Sequence, residues 1–74
     1  MNTLKLIRTP EDLGEVVRKA RKTQSLTQVD LASIAGKSHV LLRDIEKGKG
    51  SVSFASVLEV LHELGIRMYV EPSQ

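Results

Sequence analysis

The sequence contains no cysteine, no tryptophan, only two prolines and only two aromatic residues, Phe54 and Tyr69, among its 74 residues. Without cysteine there is no disulfide framework and no thiolate metal site. With so few aromatics the core must be assembled from Leu, Val, Ile and Ala, which suits packed helices better than a β-sandwich. No apolar run approaches the roughly 18 residues that a membrane span needs, and no secretory apolar stretch follows Met1. These absences point to a small, single-domain, cytoplasmic chain with no membrane partner. A chain this short buries only about 60% of its unfolded surface, so its stability is thin and pairing with a second copy would help.

What is present is charge, unevenly placed. Ten of the eleven Lys and Arg fall in residues 1–50 with six of the nine Asp and Glu, whereas residues 51–74 hold one cation and three carboxylates. That asymmetry suits an anionic partner for the first part of the chain.

Four helices are predicted. Thr9-Pro10-Glu11-Asp12 reads as a helix start, with Thr as cap, Pro tolerated at the first position and Asp favouring the positive helix end. This helix should run from Pro10 to about Lys22 and bury Leu13, Val16, Val17 and Ala20. Gly14 costs about 1 kcal/mol there relative to Ala, which points to a close helix contact. Thr27 and Asp30 repeat the cap pattern, opening a second helix that should bury Leu31, Ile34 and Ala35 and end at Gly36, where the chain can turn through a left-handed conformation.

After a joint of two or three residues, Ser38 caps a third helix from His39 to Lys47. At 100° per residue, Leu42 and Ile45 share its inner side, while His39, Val40, Arg43, Asp44 and Lys47 share an outward arc. Gly48-Lys49-Gly50 follows as a basic loop. A fourth helix, capped by Ser53, should bury Val57, Leu58, Leu61 and Leu64 and stop at Gly65. Ile66, Met68 and Val70 then alternate with Arg67, Tyr69 and Glu71 as in a half-buried strand that Pro72 ends. A strand needs a pairing partner. Either Thr3 to Ile7 supplies it within the chain, or the strand pairs with its copy across a two-fold axis, which is the preferred reading. The domain limits are then an arm over 1–9, a helical domain over 10–65 with the paired helices at 27–47, and a dimerisation strand and tail over 66–74.

Two short helices joined by a tight glycine turn form a helix-turn-helix, with a small Ala32 at the close approach and Leu42 and Ile45 packing the second helix onto the first. Through TQVDLASIAGKS and LLRDIEKG the sequence resembles the lambda-repressor-like, XRE-type helix-turn-helix family over about Leu13 to Leu64. The ordered set Arg21, Thr27, Gln28, Leu31, Ala32, Gly36, Ser38, Leu42, Ile45, Glu46 and Gly48 carries the likeness. It implies a four- to five-helix domain that binds DNA, with Glu46 paired to Arg21 in a structural role. Lys37 departs from the Val or Ile usual at its position, and Arg43 from the usual Ser. The arm, four helices and terminal GIRMYVEP are most like the HipB-type antitoxins, in which the strand pairs across a homodimer that binds its operator and holds a HipA-like kinase toxin.

The major groove admits one α-helix, so the third helix is the expected reader of palindromic operator DNA. Arg43 is the leading base contact, suited to guanine O6 and N7, with His39 and Val40 beside it; the plain alternative for Arg43 is a pair with Asp44. The resemblance gives Gln28 a phosphate contact and the support of the first reading side chain. Ser38, Lys37, Lys47 and Lys49 are the other candidate phosphate contacts, which position without specifying. Serines, carboxylates and histidines otherwise fall at caps or on helix faces, and Gly48-Lys49-Gly50 is too short to cradle a phosphate, so no enzyme, cofactor or metal site is expected. The functions implied are an autoregulating antitoxin and repressor, a stand-alone phage, plasmid or restriction-control regulator, or a pure protein-interaction module.

Overall fold

The computed structural model describes residues 3–73. Four helices form among them: α1 (Pro10–Thr23), α2 (Gln28–Ala35), α3 (His39–Lys47) and α4 (Phe54–Glu63). Each starts at the expected cap. Thr9 Oγ1 accepts from the Asp12 N–H at 3.1 Å while the Asp12 carboxylate accepts from the Thr9 N–H. Thr27 and Asp30 repeat this reciprocal box at 3.0 and 2.9 Å. Ser38 and Ser53 accept from the Leu41 and Ser56 N–H groups. Each cap is worth about 1 kcal/mol. Gly36 and Gly48 close α2 and α3 with φ of 67° and 79°, a region that side-chain-bearing residues avoid.

The core comprises Val17 of α1, Leu31 and Ala32 of α2, Leu42 and Ile45 of α3, and Val60, Leu61 and Leu64 of the α4 segment. Helix α3 packs against both α1 and α2, and α4 packs against α2. Gly14 is buried where α1 crosses α3: a Cβ there would collide with the Ile45 carbonyl oxygen and come within 2.7 Å of that of Glu46. The close helix contact expected from the sequence is therefore present.

Two expectations need correction. Ile34 is 54% exposed, not buried. Because Ala32 faces the core along with Leu31, the buried arc of α2 is centred between them, and Ile34, about 60° to the far side of Leu31, falls outside it. In α4, Val60 takes the buried place expected for Leu58, which is 40% exposed. Residues 66–73 form no strand in this single chain. Ile66 packs against the core, but Met68 and Val70 point outward, 43% and 83% exposed. Among the described residues no ladder joins Thr3–Ile7 to Ile66–Glu71, so the pairing within one chain is not taken, and a strand without a partner cannot satisfy its own backbone.

Candidate nucleic-acid interface

The core side of α3 is anchored by Leu42, with no exposed surface, and Ile45. Full burial of such a side chain contributes about 1.5–3 kcal/mol, enough to hold a nine-residue helix that would not persist alone. The opposite side carries His39, Val40, Arg43 and Lys47, all exposed, and Lys49 follows after the Gly48 turn. The expected reading residues thus share one outward face. Ser38 sits at its N-terminal edge, its hydroxyl occupied as the helix cap.

Beneath the start of this face lies a connected polar network. Arg21 and Glu46 form a two-pronged ion pair, Nε to Oε2 at 2.6 Å and Nη2 to Oε1 at 3.0 Å. Their side chains are 10% and 4% exposed. Arg21 Nη1 also donates to the Leu26 carbonyl at 2.7 Å. Gln28 Nε2 donates to Glu46 Oε1 at 3.1 Å, and Gln28 Oε1 meets His39 Nε2 at 2.9 Å. The pair that the resemblance implied is present, and Gln28 links it to the first residue of α3. The Leu26 carbonyl could not have been found from composition: it is turned back by Ser25, whose left-handed φ of 58° costs of order 1 kcal/mol or more.

The remaining candidates divide. Arg43 Nε and Lys49 Nζ both lie 3.8 Å from Asp44 Oδ1, which is buried and accepts no hydrogen bond. At that distance these are loose ion pairs, so Arg43 and Lys49 stay beside the face without being locked. Lys37 is different. Its ammonium is 2.8 Å from Glu59 Oε1 on α4, and its side chain is only 21% exposed. This lysine ties the turn to α4 by an ion pair. Among the described residues no group of three or more His, Asp or Glu is arranged to hold a metal ion, and no helix is long and apolar enough to cross a membrane.

Burial pushes the Glu46 carboxyl up, but hydrogen bonds from Arg21 and Gln28, with the charge of Arg21, more than offset it and leave the group below its ordinary value. The hydrogen bond to Glu46 raises Arg21 above its ordinary value against the pull of burial. Asp12 and Asp30 are lowered, chiefly by the backbone N–H groups of Arg8 and Thr27. Carboxylates held below their unfolded values contribute stability above the unfolded range and lose it as pH falls through the folded values. Thermal stability is therefore expected to be flat near neutrality and to decline as pH falls from about 4 to 5 downward. Melting curves at pH 7, 5, 4 and 3 check this; a melting temperature unchanged down to pH 3 would contradict the role given to these groups.

The sequence model of the helix-turn-helix family matches residues 17–69. An HTH-type transcriptional regulator of Sinorhizobium fredii, y4mF, is 44% identical over 61 residues, 82% of this chain and 80% of that protein. Among solved structures, HipB in the HipA-HipB-O2-O3 complex superposes with a TM-score of 0.84 at 18% identity, covering 96% of this chain and all of that one. HipB in its complex with the O4 20mer also gives 0.84 at 18% identity, covering 96% and 100%. At such identity these two likenesses establish the fold.

Proposed function

This chain belongs to the helix-turn-helix family, and from that membership we propose that it is a sequence-specific DNA-binding repressor that acts as a homodimer on a palindromic operator. The observation that carries the reading is the outward face of α3, where His39, Val40 and Arg43 stand exposed on a helix whose other side is sealed into the core. A helix of this diameter fits the major groove, where the four base pairs display distinguishable donor and acceptor patterns. Arg43 bonds guanine O6 and N7, Val40 meets a thymine methyl, and His39 reads the neighbouring step. Gln28, Ser38, Lys47 and Lys49 contact backbone phosphates. Lys37 reaches phosphate only by leaving Glu59, so its contribution is secondary.

The dimer reading draws support from the exposed surface. The chain exposes 5611 Å², against about 4,500 Å² expected for a compact monomer of its 8.2 kDa. Leu4, Leu6, Tyr69 and Val70 are all more than two-thirds exposed, and pairing Ile66–Glu71 with its copy would bury apolar side chains and satisfy backbone groups at once. The half-sites of the operator would then lie about 34–36 Å apart. The fold shared with HipB supports a second role, as the antitoxin that autoregulates its operon and binds a HipA-like kinase toxin. Purification from the native host tests it: the reading expects a kinase-like protein to co-elute, and its absence would leave a stand-alone regulator.

Arg43 and Lys49 separate specificity from affinity. Arg43→Ala is expected to remove about 1–3 kcal/mol of discrimination at one base pair of each half-site. Lys49→Ala should weaken binding evenly across operator variants and reduce the salt slope by about one. Titrations of single-base operator variants at several salt concentrations read both effects. Identical profiles for the two variants would defeat the assignment, and no salt-dependent binding to the protein's own promoter would defeat the DNA-binding reading as a whole.

A further inference from the structure

We propose that Glu46, acting through Gln28, fixes which nitrogen of His39 carries its proton, and thereby sets the base that His39 can select. The inference rests on the reading of α3 as the major-groove helix and deepens it. The ionised Glu46 carboxylate can only accept hydrogen bonds. Its Oε1 already accepts from Arg21 Nη2 at 3.0 Å, and its next partner, Gln28 at 3.1 Å, must present the amide NH₂. That orientation leaves the Gln28 carbonyl oxygen facing His39 Nε2 at 2.9 Å. A carbonyl also only accepts, so Nε2 must carry the hydrogen. Reversing the amide would set the Gln28 carbonyl oxygen against the Glu46 carboxylate, two acceptors face to face with no hydrogen between them. The buried Arg21–Glu46 pair, anchored in turn by the Leu26 carbonyl, cannot rotate to relieve that conflict.

With Nε2–H committed inward, the neutral imidazole of His39 offers Nδ1, a lone-pair acceptor, as its second polar atom. In the major groove an acceptor is satisfied by the exocyclic amino group of adenine N6 or cytosine N4 and repelled by guanine O6 and N7 or thymine O4. His39 is thus a reader of amino-bearing bases, complementary to Arg43, whose donors suit guanine. Glu46 and Gln28 are positioning residues here: neither touches the base.

Long-range ¹H–¹⁵N correlation spectra of the free protein, recorded above the midpoint of the His39 titration seen in the same spectra, are expected to show the Nε2–H tautomer alone. Gln28→Ala should admit a mixture of tautomers while leaving the fold intact. Gln28→Lys, which places a donor between Glu46 and His39, should drive His39 to the Nδ1–H form. In selection from operators randomised opposite His39, the wild-type protein is expected to favour adenine or cytosine by about two- to tenfold. His39→Ala should abolish the preference, and Gln28→Lys should shift it toward guanine or thymine. An Nδ1–H tautomer in the wild type, or a preference for guanine or thymine there, would overturn the inference while leaving DNA binding in place. Loss of all DNA binding in the wild type would instead remove the base assignment together with the proposed function, and the spectra would still decide the tautomer.

Discussion

Glu46→Ala is expected to destabilise the protein by about 3–5 kcal/mol, the range for removing one partner of a buried ion pair. The variant would leave the Arg21 guanidinium, in a residue only 8% exposed, facing an apolar methyl with a single remaining bond to the Leu26 carbonyl. It would also strip the Gln28 amide of its acceptor. A chain of 74 residues has a total stability of about 4–11 kcal/mol, so the loss consumes a large part of it and the variant is expected to be partly unfolded at 37 °C. Urea unfolding followed by circular dichroism measures the change. The cost arises from the stranded charge and not from a large net value of the pair, because desolvation offsets much of the attraction between two buried ions. Replacing both partners, as Arg21→Met with Glu46→Leu, is therefore expected to recover most of the lost stability. A single variant within 1 kcal/mol of wild type, or a double variant no better than the single, would show that the pair is not what ties α1 to α3.

The second large effect is expected at Gly14. In an unhindered helix interior, Gly→Ala gains about 1 kcal/mol, so propensity alone predicts a more stable protein. The structure predicts the reverse. An added Cβ would enter the space of the Ile45 and Glu46 backbone carbonyls, at 2.7 Å from the latter, and these belong to α3 and cannot rotate aside as a side chain would. Overpacking costs typically about 1–3 kcal/mol, which outweighs the propensity gain for Ala. Gly14→Val, with a larger branched side chain, should lose about 3 kcal/mol or more and push α3 off α1. Since α3 carries the proposed reading face, operator affinity should fall with stability even though Gly14 lies on another helix. A Gly14→Ala protein more stable than wild type would disprove the close crossing.

Much of this molecule was legible in its sequence because the relevant signals are short-ranged. Thr9 with Asp12, Thr27 with Asp30, and the left-handed glycines at 36 and 48 act over one helical turn, and the helices begin and end within about a residue of their expected limits. The outward arc of α3 followed from 100° geometry once Leu42 and Ile45 were placed inside, except that Asp44, at its edge, is half-buried. Ile34 was misread because α2 is only eight residues long, two turns in which Leu31, Ile34 and Ala35 and the true set of Leu31, Ala32 and Ala35 are almost equally good stripes. The sequence placed Ala32 at the close approach of the helices, but the rotation of α2 about its axis, which leaves Ile34 outside, is set only by the folded core. The partnership of Lys37 with Glu59 spans 22 residues and has no local signature at all, so nothing in the sequence assigned this lysine a partner on α4.

By itself the sequence determined the four helices, their caps, the tight turn at Gly36 and the residue types on the outer side of α3, since each depends on backbone groups and side chains within a few positions of one another. Only the tertiary structure decided that Gly14 meets the Ile45 and Glu46 carbonyls, that Lys37 is held by Glu59, and that Gln28 joins the Arg21–Glu46 pair to His39 in one chain of hydrogen bonds across α1, α2 and α3. Those outcomes depend on the rotation of each helix about its axis and on the distance between axes, which are set by the packing of the whole core and are not encoded in any single segment.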